Sequence, residues 1–243
     1  MLEDHKRAEA EYPSRVNAEH RRWLETKPFQ GEPRHTVRHL VDVGYIVDLL
    51  ELNAGTRFLE LGCGSGWLTR YAARCGAEAV GYDISPEMIE IARAEASREG
   101  LDVRFEVADM EALKPEGTFD RCLIYEALHH STDPVGVLEV ARRALRPGGS
   151  LLVSEPNSIQ RFRGRAASKE FGTTELGISP HRLRRMFRQA GFSEVRRFHS
   201  NRRRLYGNSP RDIAMHLLEP LAFRALAPFW TQVWMRGTMP PPS

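Results

Sequence analysis

Short apolar runs alternate with longer stretches of helical periodicity along most of the chain. Runs rich in Val, Leu, Ile and Phe predict strands at 57–61, 78–82, 102–107, 119–124, 150–154 and 194–199, and a run at 231–236 predicts a last strand. Between most of these strands, apolar residues recur three or four positions apart, as they do in an amphipathic helix. Strands that alternate with helices indicate βαβ units and a mainly parallel sheet with helices on both faces.

Serine or aspartate followed by proline marks the predicted helix starts. This pairing of a capping side chain with a proline at the first helical position occurs at Ser85-Pro86, Asp133-Pro134, Ser179-Pro180 and Ser209-Pro210. Gly191 ends the third of these helices, and the run RPGG at 146–149 predicts a tight turn before a strand. A further helix is expected over 36–52, a loop over 155–178, and one or two helices over 210–229. We assign no elements to the polar residues 1–33.

The composition is typical of a globular protein from a reducing compartment. With 243 residues and 41% hydrophobic residues, the chain fits one large domain or one domain with an elaborated end. No run of 18 apolar residues predicts a membrane span, and the first residues have no signal-peptide pattern. Cys63, Cys75 and Cys122 form no close pair, which argues against disulfides and a thiolate metal site. We therefore expect a cytoplasmic protein that binds no metal.

Charge is distributed unevenly along the chain. Residues 151–243 contain 16 Lys and Arg against 6 Asp and Glu, whereas residues 1–150 contain 19 against 26. Arginines are dense at 161–165 and at 182–204. They fit an anionic partner, such as an acidic acceptor or RNA, or a solvated helix face and strand edge. For Arg184, Arg185 and Arg188 we favour the solvated face, because their predicted helix also carries apolar core positions.

Three glycines at alternate positions follow the first predicted strand, in the sequence FLELGCGSGW at 58–67. A P-loop would require a lysine that this segment lacks. In a dinucleotide loop the third glycine would stand one residue later, where Trp67 is found. Glu60 favours a third ligand, S-adenosylmethionine, because a carboxylate repels a pyrophosphate and attracts an ammonium. The alternative is a turn whose glycines serve tight packing.

Acidic residues end the next two predicted strands. Asp83 could accept hydrogen bonds from both hydroxyls of a ribose, although an acid here could equally cap a helix. Asp109 could accept from an adenine amino group, with Met110 packed beside the ring. The fourth strand ends at Tyr125 and Glu126, where a doubly wound sheet opens its ligand crevice.

Taken in order, these segments resemble class I S-adenosylmethionine-dependent methyltransferases, above all the small-molecule branch that acts on quinones, sugars and natural products. The segments are LELGCGSG, GYDISPEMI, VADMEAL, FDRCLIYEALHH and LRPGGSLLVSEP. The resemblance implies a Rossmann-like, doubly wound α/β fold: a seven-stranded sheet, mostly parallel, with the last strand antiparallel and helices on both faces. It also implies an N-terminal helical lid or cap over 1–55 and a methyltransferase domain over 56–243, elaborated in 155–230. The cofactor would be S-adenosylmethionine, bound by Glu60, Gly62, Cys63, Gly64, Gly66, Asp83, Ile84, Asp109, Met110 and Tyr125.

Methyl transfer mainly requires that the acceptor be aligned with the methyl–sulfur bond, but a hydroxyl acceptor must also lose a proton. His129 and His130 follow the fourth strand, and an imidazole titrates in the range that a general base needs. Neighbouring side chains point apart, so we expect no more than one of them to face the acceptor. Glu126 is a third candidate base. A mechanism of alignment without a protein base stays open, as does a structural role for both histidines.

We expect a hydroxyl oxygen of a sugar, quinone-like compound or natural product to be the acceptor, with an anionic or a partly apolar acceptor as options. RNA methylation is an alternative, but residues 125–130 read YEALHH instead of the Asn/Asp-Pro-Pro-aromatic motif that holds a flipped base in RNA-modifying relatives. Aromatic residues are also not interleaved with the arginines. Methylation at carbon or nitrogen and a cofactor-binding protein without turnover remain further alternatives.

Overall fold

The computed structural model describes residues 2–29, 33–115, 117–157, 177–198 and 232–240. The arginine clusters at 161–165 and 202–204, the predicted cap at Ser209 and the predicted helices over 210–229 lie outside these residues. Most of the loop predicted over 155–178 lies outside them as well.

Helices and strands alternate after an N-terminal helical segment. The helices are α1 (Leu2–Arg15), α2 (Ala18–Glu25), α3 (Pro33–Leu50), α4 (Trp67–Arg74), α5 (Pro86–Arg98), α6 (Pro134–Ala144) and α7 (Pro180–Gln189), with a 3-10 turn at Leu128–His130. The strands are β1 (Arg57–Leu61), β2 (Glu78–Asp83), β3 (Arg104–Val107), β4 (Phe119–Tyr125), β5 (Leu145–Pro156), β6 (Glu194–Phe198) and β7 (Gln232–Thr238).

One seven-stranded sheet organises the chain, in the order β3-β2-β1-β4-β5-β7-β6. The neighbours from β3 through β5 pair in parallel, while β7 runs antiparallel to both β5 and β6. The predicted fold is therefore confirmed. Because the strand order reverses between β1 and β4, a crevice opens beyond the carboxyl ends of these two central strands.

The core lies on both faces of the sheet. On one face, α3 and α4 pack with Val43, Ile46 and Leu68 against Phe58 and other strand residues. On the opposite face, α6 and α7 cover β4, β5 and β7 with apolar side chains that are almost fully buried. Each such side chain contributes roughly 1.5–3 kcal/mol through its removal from water. Since α3 belongs to the core, α1 and α2 are the helices that stand outside the sheet's own layers.

Three of the predicted caps are present. The Met88 N–H donates to Ser85 Oγ, the Gly136 N–H to Asp133 Oδ1 and the Arg182 N–H to Ser179 Oγ. The α7 helix ends before Gly191, whose φ of 85° is left-handed and favours glycine. These local signals need no tertiary contact, which explains why the sequence was sufficient to find them.

The structure differs most from the predicted elements at the start of β5 and in the N-terminal segment. The β5 strand begins at Leu145, directly after α6, because Leu145 pairs with Phe119 while Ser150 pairs with Arg121. The predicted turn over 146–149 is thus a bulge within the strand and not a separate connection. The polar N-terminal segment, to which no elements were assigned, forms α1 and α2. Among the described residues, no helix is long and apolar enough to cross a membrane.

Candidate active site

A cavity of about 570 Å³ lies at the carboxyl edge of the central strands. Its floor comes from the ends of β1, β2 and β4 and from the residues after β3, and its roof from α1, α2 and the chain after α2. Of the predicted site residues, the cavity is lined by Glu60, Gly62, Cys63, Gly64, Asp83, Ile84, Asp109, Met110, Tyr125, Glu126, His129 and His130. This volume is within the range of small-molecule and cofactor sites.

Glycine is needed at the three positions of the loop for different structural reasons. All have a positive φ, but a Cβ at Gly62 would lie 2.4 Å from the Ala127 Cβ, and one at Gly66 would lie 2.5 Å from the Phe105 ring. At Gly64 no atom lies within 4 Å of that position. Gly62 and Gly66 therefore permit close packing, and Gly66 is not among the residues that line the cavity. Gly64 is the glycine that keeps the backbone open toward a ligand.

Glu60 is a buried acid at the inner end of the cavity, with 2% of its surface exposed. The Thr69 hydroxyl donates a hydrogen bond to its carboxylate. Burial raises the pKa of Glu60 to about 8, and the hydrogen bonds from Thr69 oppose the rise. The nearby Asp83 carboxylate contributes to this rise of the pKa, whereas Lys27 opposes it. A bound cation would hold Glu60 in its ionised form.

Asp83 ends β2 and is tied to the glycine loop. Its Oδ2 accepts from the Gly64 N–H (2.8 Å) and its Oδ1 from the Ser85 N–H (2.9 Å). Burial raises the pKa of Asp83, while these two backbone hydrogen bonds lower it. A carboxylate oxygen accepts more than one hydrogen bond, so Asp83 can serve the loop and a ligand together. Burial also raises the pKa of the neighbouring Cys63 thiol, which stays protonated as an apolar lining group.

Asp109 follows β3 and contacts the lid, the name used here for α1, α2 and the residues just after α2 that cover the cavity. Its Oδ1 accepts from the Glu111 N–H (2.8 Å), and its Oδ2 accepts from Lys6 Nζ (2.5 Å), which also contacts Glu111 Oε2 at 2.7 Å. Lys6 belongs to α1, so this end of the cavity is covered by the N-terminal segment. Met110 is partly buried against the core below it.

His129 forms a buried pair with Glu155, a residue that the sequence did not single out. The His129 Nδ1 lies 2.5 Å from Glu155 Oε2, and Glu155 is fully buried at the end of β5. Glu155 Oε1 accepts from the Ala127 N–H (3.1 Å) and the Leu128 N–H (2.7 Å). A carboxylate at Nδ1 places the imidazole proton there and makes Nε2 the basic nitrogen.

His130 and Glu126, the other two candidate bases, are held by different partners. His130 Nδ1 lies 3.1 Å from Glu9 Oε2, and its carbonyl oxygen is 2.9 Å from His5 Nε2, so it joins the loop after β4 to α1. Glu126 pairs with the Arg38 guanidinium and accepts from Gln232 Nε2 (3.3 Å). These contacts connect both residues to the walls of the cavity.

Tyr125 lies at the cavity wall with its hydroxyl directed at α3. The hydroxyl donates to Asp42 Oδ2 (2.7 Å), and the ring packs between Trp67 and Trp234 with centroids 5.9 and 6.2 Å away. Its backbone is therefore the part that stays near the cavity.

Glu155 had one signal in the sequence, an acid at the end of an otherwise apolar strand, whereas the lid residues had none.

The polar groups that line this cavity fit S-adenosylmethionine. Three acids follow one another across the sheet edge: Glu60, Asp83 and Asp109, with open backbone at Gly64 beside them. In this order they match the ammonium, the ribose and the adenine of the cofactor, each of which offers hydrogen-bond donors. A family model described as a methyltransferase domain matches residues 52–191. The chain belongs to the class I S-adenosylmethionine-dependent methyltransferases. Its cofactor is S-adenosylmethionine.

Curated relatives agree with this family, and solved structures agree with its fold. The ubiquinone biosynthesis O-methyltransferase of Xanthomonas euvesicatoria pv. vesicatoria is 36% identical over 138 residues, which are 56% of this chain and 56% of that protein. The chain thus spans about half the length of the curated relatives it matches. The YcgJ protein of Bacillus subtilis has a TM-score of 0.64 at 18% identity, covering 84% of this chain and 100% of that one. Phosphoethanolamine N-methyltransferase 2 of Haemonchus contortus, solved with S-adenosyl-L-methionine, has a TM-score of 0.66 at 17% identity, covering 96% and 60%.

Proposed function

We propose that this methyltransferase methylates a hydroxyl oxygen of a small-molecule acceptor and that His129 is the general base. The observation that carries the proposal is the buried pair of His129 and Glu155 in the wall of the cofactor cavity. A base with a fixed tautomer serves an acceptor that must lose a proton as it reacts. The name of the Xanthomonas relative, an O-methyltransferase, supports the same choice of atom.

The lid supports a small acceptor. The α1 and α2 helices cover the cavity through polar contacts, among them Lys6 with Asp109 and Arg21 with Glu87. A cavity of about 570 Å³ under such a roof suits a cofactor together with a compact acceptor better than it suits a nucleic acid strand. We include quinone-like phenols, sugars and natural products in the acceptor class.

The geometry of the cavity supports one set of cofactor assignments. In this proposal Glu60 receives the ammonium of the methionine end, Asp83 the ribose hydroxyls and Asp109 the adenine amino group, with Met110 beside the ring. Gly64 lets the backbone approach the methionine portion. Lys6 already donates to the Asp109 carboxylate, so the adenine amino group either shares this carboxylate with Lys6 or displaces Lys6 from it.

The chain's own contribution to the chemistry is alignment and proton removal. When bound, S-adenosylmethionine supplies a methyl group on a sulfonium, whose thioether is a good leaving group. His129 Nε2 accepts the proton of the acceptor hydroxyl. Glu155 holds the imidazole in place and stabilises the imidazolium that forms. Glu126 and His130 act as positioning residues, because Arg38 holds the first and Glu9 holds the second.

Methyl-labelled S-adenosylmethionine and a host extract test the acceptor class. We expect label in a small-molecule or organic-soluble fraction. High-molecular-weight label that nuclease treatment removes would instead identify an RNA methyltransferase. Cofactor binding without transfer to any fraction would identify a protein that binds the cofactor without turnover.

Once an acceptor is found, His129→Asn and Glu155→Gln test the base. We expect His129→Asn to lower kcat about 100- to 10,000-fold and to leave S-adenosylhomocysteine affinity unchanged. Glu155→Gln should lower kcat and shift the pH dependence of kcat, because the imidazolium loses its carboxylate. His181→Asn, on the exposed surface of α7, is the matched control. Full kcat in His129→Asn would show that the enzyme uses alignment without this base.

A further inference from the structure

Lys27 brings a cation into the end of the cavity where Glu60 lies. It lines the cavity just after α2, and its ammonium is 4.6 Å from the centroid of the Trp23 ring. The pKa of Lys27 is lowered to about 8, chiefly by burial and also by the Arg38 guanidinium, while the Glu60 carboxylate opposes both. Lys27 and Glu60 thus act on each other electrostatically at one end of the cavity, and they carry opposite charges whenever Glu60 is ionised.

The position of Lys27 is fixed relative to the glycine loop. The Leu24 carbonyl, three residues earlier, accepts a hydrogen bond from Ser65 Oγ (3.0 Å), and Ser65 lies between Gly64 and Gly66. The Ser65 carbonyl in turn accepts from Arg70 Nη1 (2.6 Å) on α4. The C-terminal end of α2 is therefore anchored to the loop that meets the cofactor, and Lys27 follows this anchor by three residues.

A buried ammonium that faces an aromatic ring is stabilised less than one that meets a carboxylate. The methionine end of S-adenosylmethionine is a zwitterion, with an ammonium and a carboxylate on the same carbon. Glu60 offers the charge that the ammonium requires, and Lys27 offers the charge that the carboxylate requires. Because the ammonium and the carboxylate are attached to the same carbon, the residues that bind them must lie close together. Glu60 from the sheet and Lys27 from the lid lie at the same end of the cavity and meet this condition.

We propose that Lys27 binds the carboxylate of the cofactor's methionine end, so that Glu60 and Lys27 recognise the two charges of that end together. This inference rests on the assignment of Glu60 to the ammonium under the proposed function. It adds a consequence for the lid. Because Lys27 belongs to the segment that follows α2, a bound cofactor would link that segment to the floor of the cavity.

Decarboxylated S-adenosylmethionine tests the inference, because it keeps the ammonium and the sulfonium and lacks the carboxylate. Calorimetry on the intact chain would compare its affinity with that of S-adenosylmethionine in the wild type, Lys27→Met and Lys27→Arg. We expect Lys27→Met to bind S-adenosylmethionine about 10- to 100-fold more weakly and the decarboxylated ligand as the wild type does. Lys27→Arg should recover most of the loss. Lys114→Met, which changes an exposed lysine, is the matched control.

The remaining outcomes separate Lys27 from Glu60. Equal weakening of both ligands in Lys27→Met would overturn the proposal in favour of a role in shaping the lid. Unchanged binding of both ligands would also overturn it, and a raised KM for the acceptor in that variant would place Lys27 in the acceptor site. Glu60→Gln should weaken both ligands, since both carry the ammonium. If Glu60→Gln weakens neither, the assignment of Glu60 fails whatever Lys27 does.

Discussion

Replacement of Glu60 by glutamine should make the ligand-free protein more stable while it weakens cofactor binding. The pKa of Glu60 is raised from 4.5 to about 8, chiefly by burial, so ionisation of this side chain is harder in the folded protein than in the unfolded chain. At about 1.4 kcal/mol per pKa unit, the full difference is on the order of 5 kcal/mol. Because the folded pKa is the higher one, stability is retained below pH 4.5 and lost as the pH rises toward 8.

At pH 7 the wild type should already have lost on the order of 3 kcal/mol of its free energy of unfolding through this one carboxyl. Glu60→Gln has no such dependence and can still accept the hydrogen bond from Thr69. Urea denaturation of the ligand-free protein at pH 5, 7 and 8.5 would give the difference between the two proteins at each pH. We expect it to grow by about 4 kcal/mol from pH 5 to pH 8.5. Glu90→Gln, on the exposed face of α5, controls for the loss of one charge.

The same reasoning predicts proton release when the cofactor binds. At pH 7 Glu60 is mostly protonated in the free protein, and an ammonium beside it would drive ionisation. Calorimetry with S-adenosylhomocysteine in two buffers of different ionisation enthalpy should show the release of about one proton in the wild type and none from this group in Glu60→Gln. A stability difference that does not change with pH, together with equal proton release in both proteins, would refute the argument.

Two further predictions concern the glycine loop and the lid. Gly66→Ala should unfold the protein or lower its free energy of unfolding by several kcal/mol, since the new Cβ would lie 2.5 Å from the Phe105 ring. Gly64→Ala should cost only about 1 kcal/mol of backbone strain and should mainly reduce the affinity for S-adenosylhomocysteine. Equal melting temperatures for the two variants would contradict this. Lys6→Met should release α1 from Asp109 and speed cleavage of α1 by thermolysin up to about fivefold, because a partly exposed ion pair contributes no more than about 1 kcal/mol. An unchanged cleavage rate would show that other contacts hold the lid.

The sequence was sufficient wherever the determining interaction is local. A cap such as Ser85 bonds to the N–H three residues later, and strands of buried apolar residues have their pattern within five or six positions. The acids at strand ends were found for the same reason. The carboxyl ends of parallel strands meet at one sheet edge, so Glu60, Asp83 and Asp109 could be placed near one another once the fold class was known.

Only the tertiary structure decided which residues complete the site. His129 and Glu155 are 26 residues apart and meet because β4 and β5 are neighbours in the sheet. Lys6 reaches Asp109 across 103 residues because α1 and α2 fold over the cavity. The polar segment that forms these helices has no periodic pattern strong enough to predict them, because its helices are stabilised by long-range polar contacts more than by a buried face. The sequence by itself predicted the sheet and the cofactor edge, whereas the packing of strands and lid paired the proposed base His129 with Glu155 and placed Lys6 and Lys27 above the cavity.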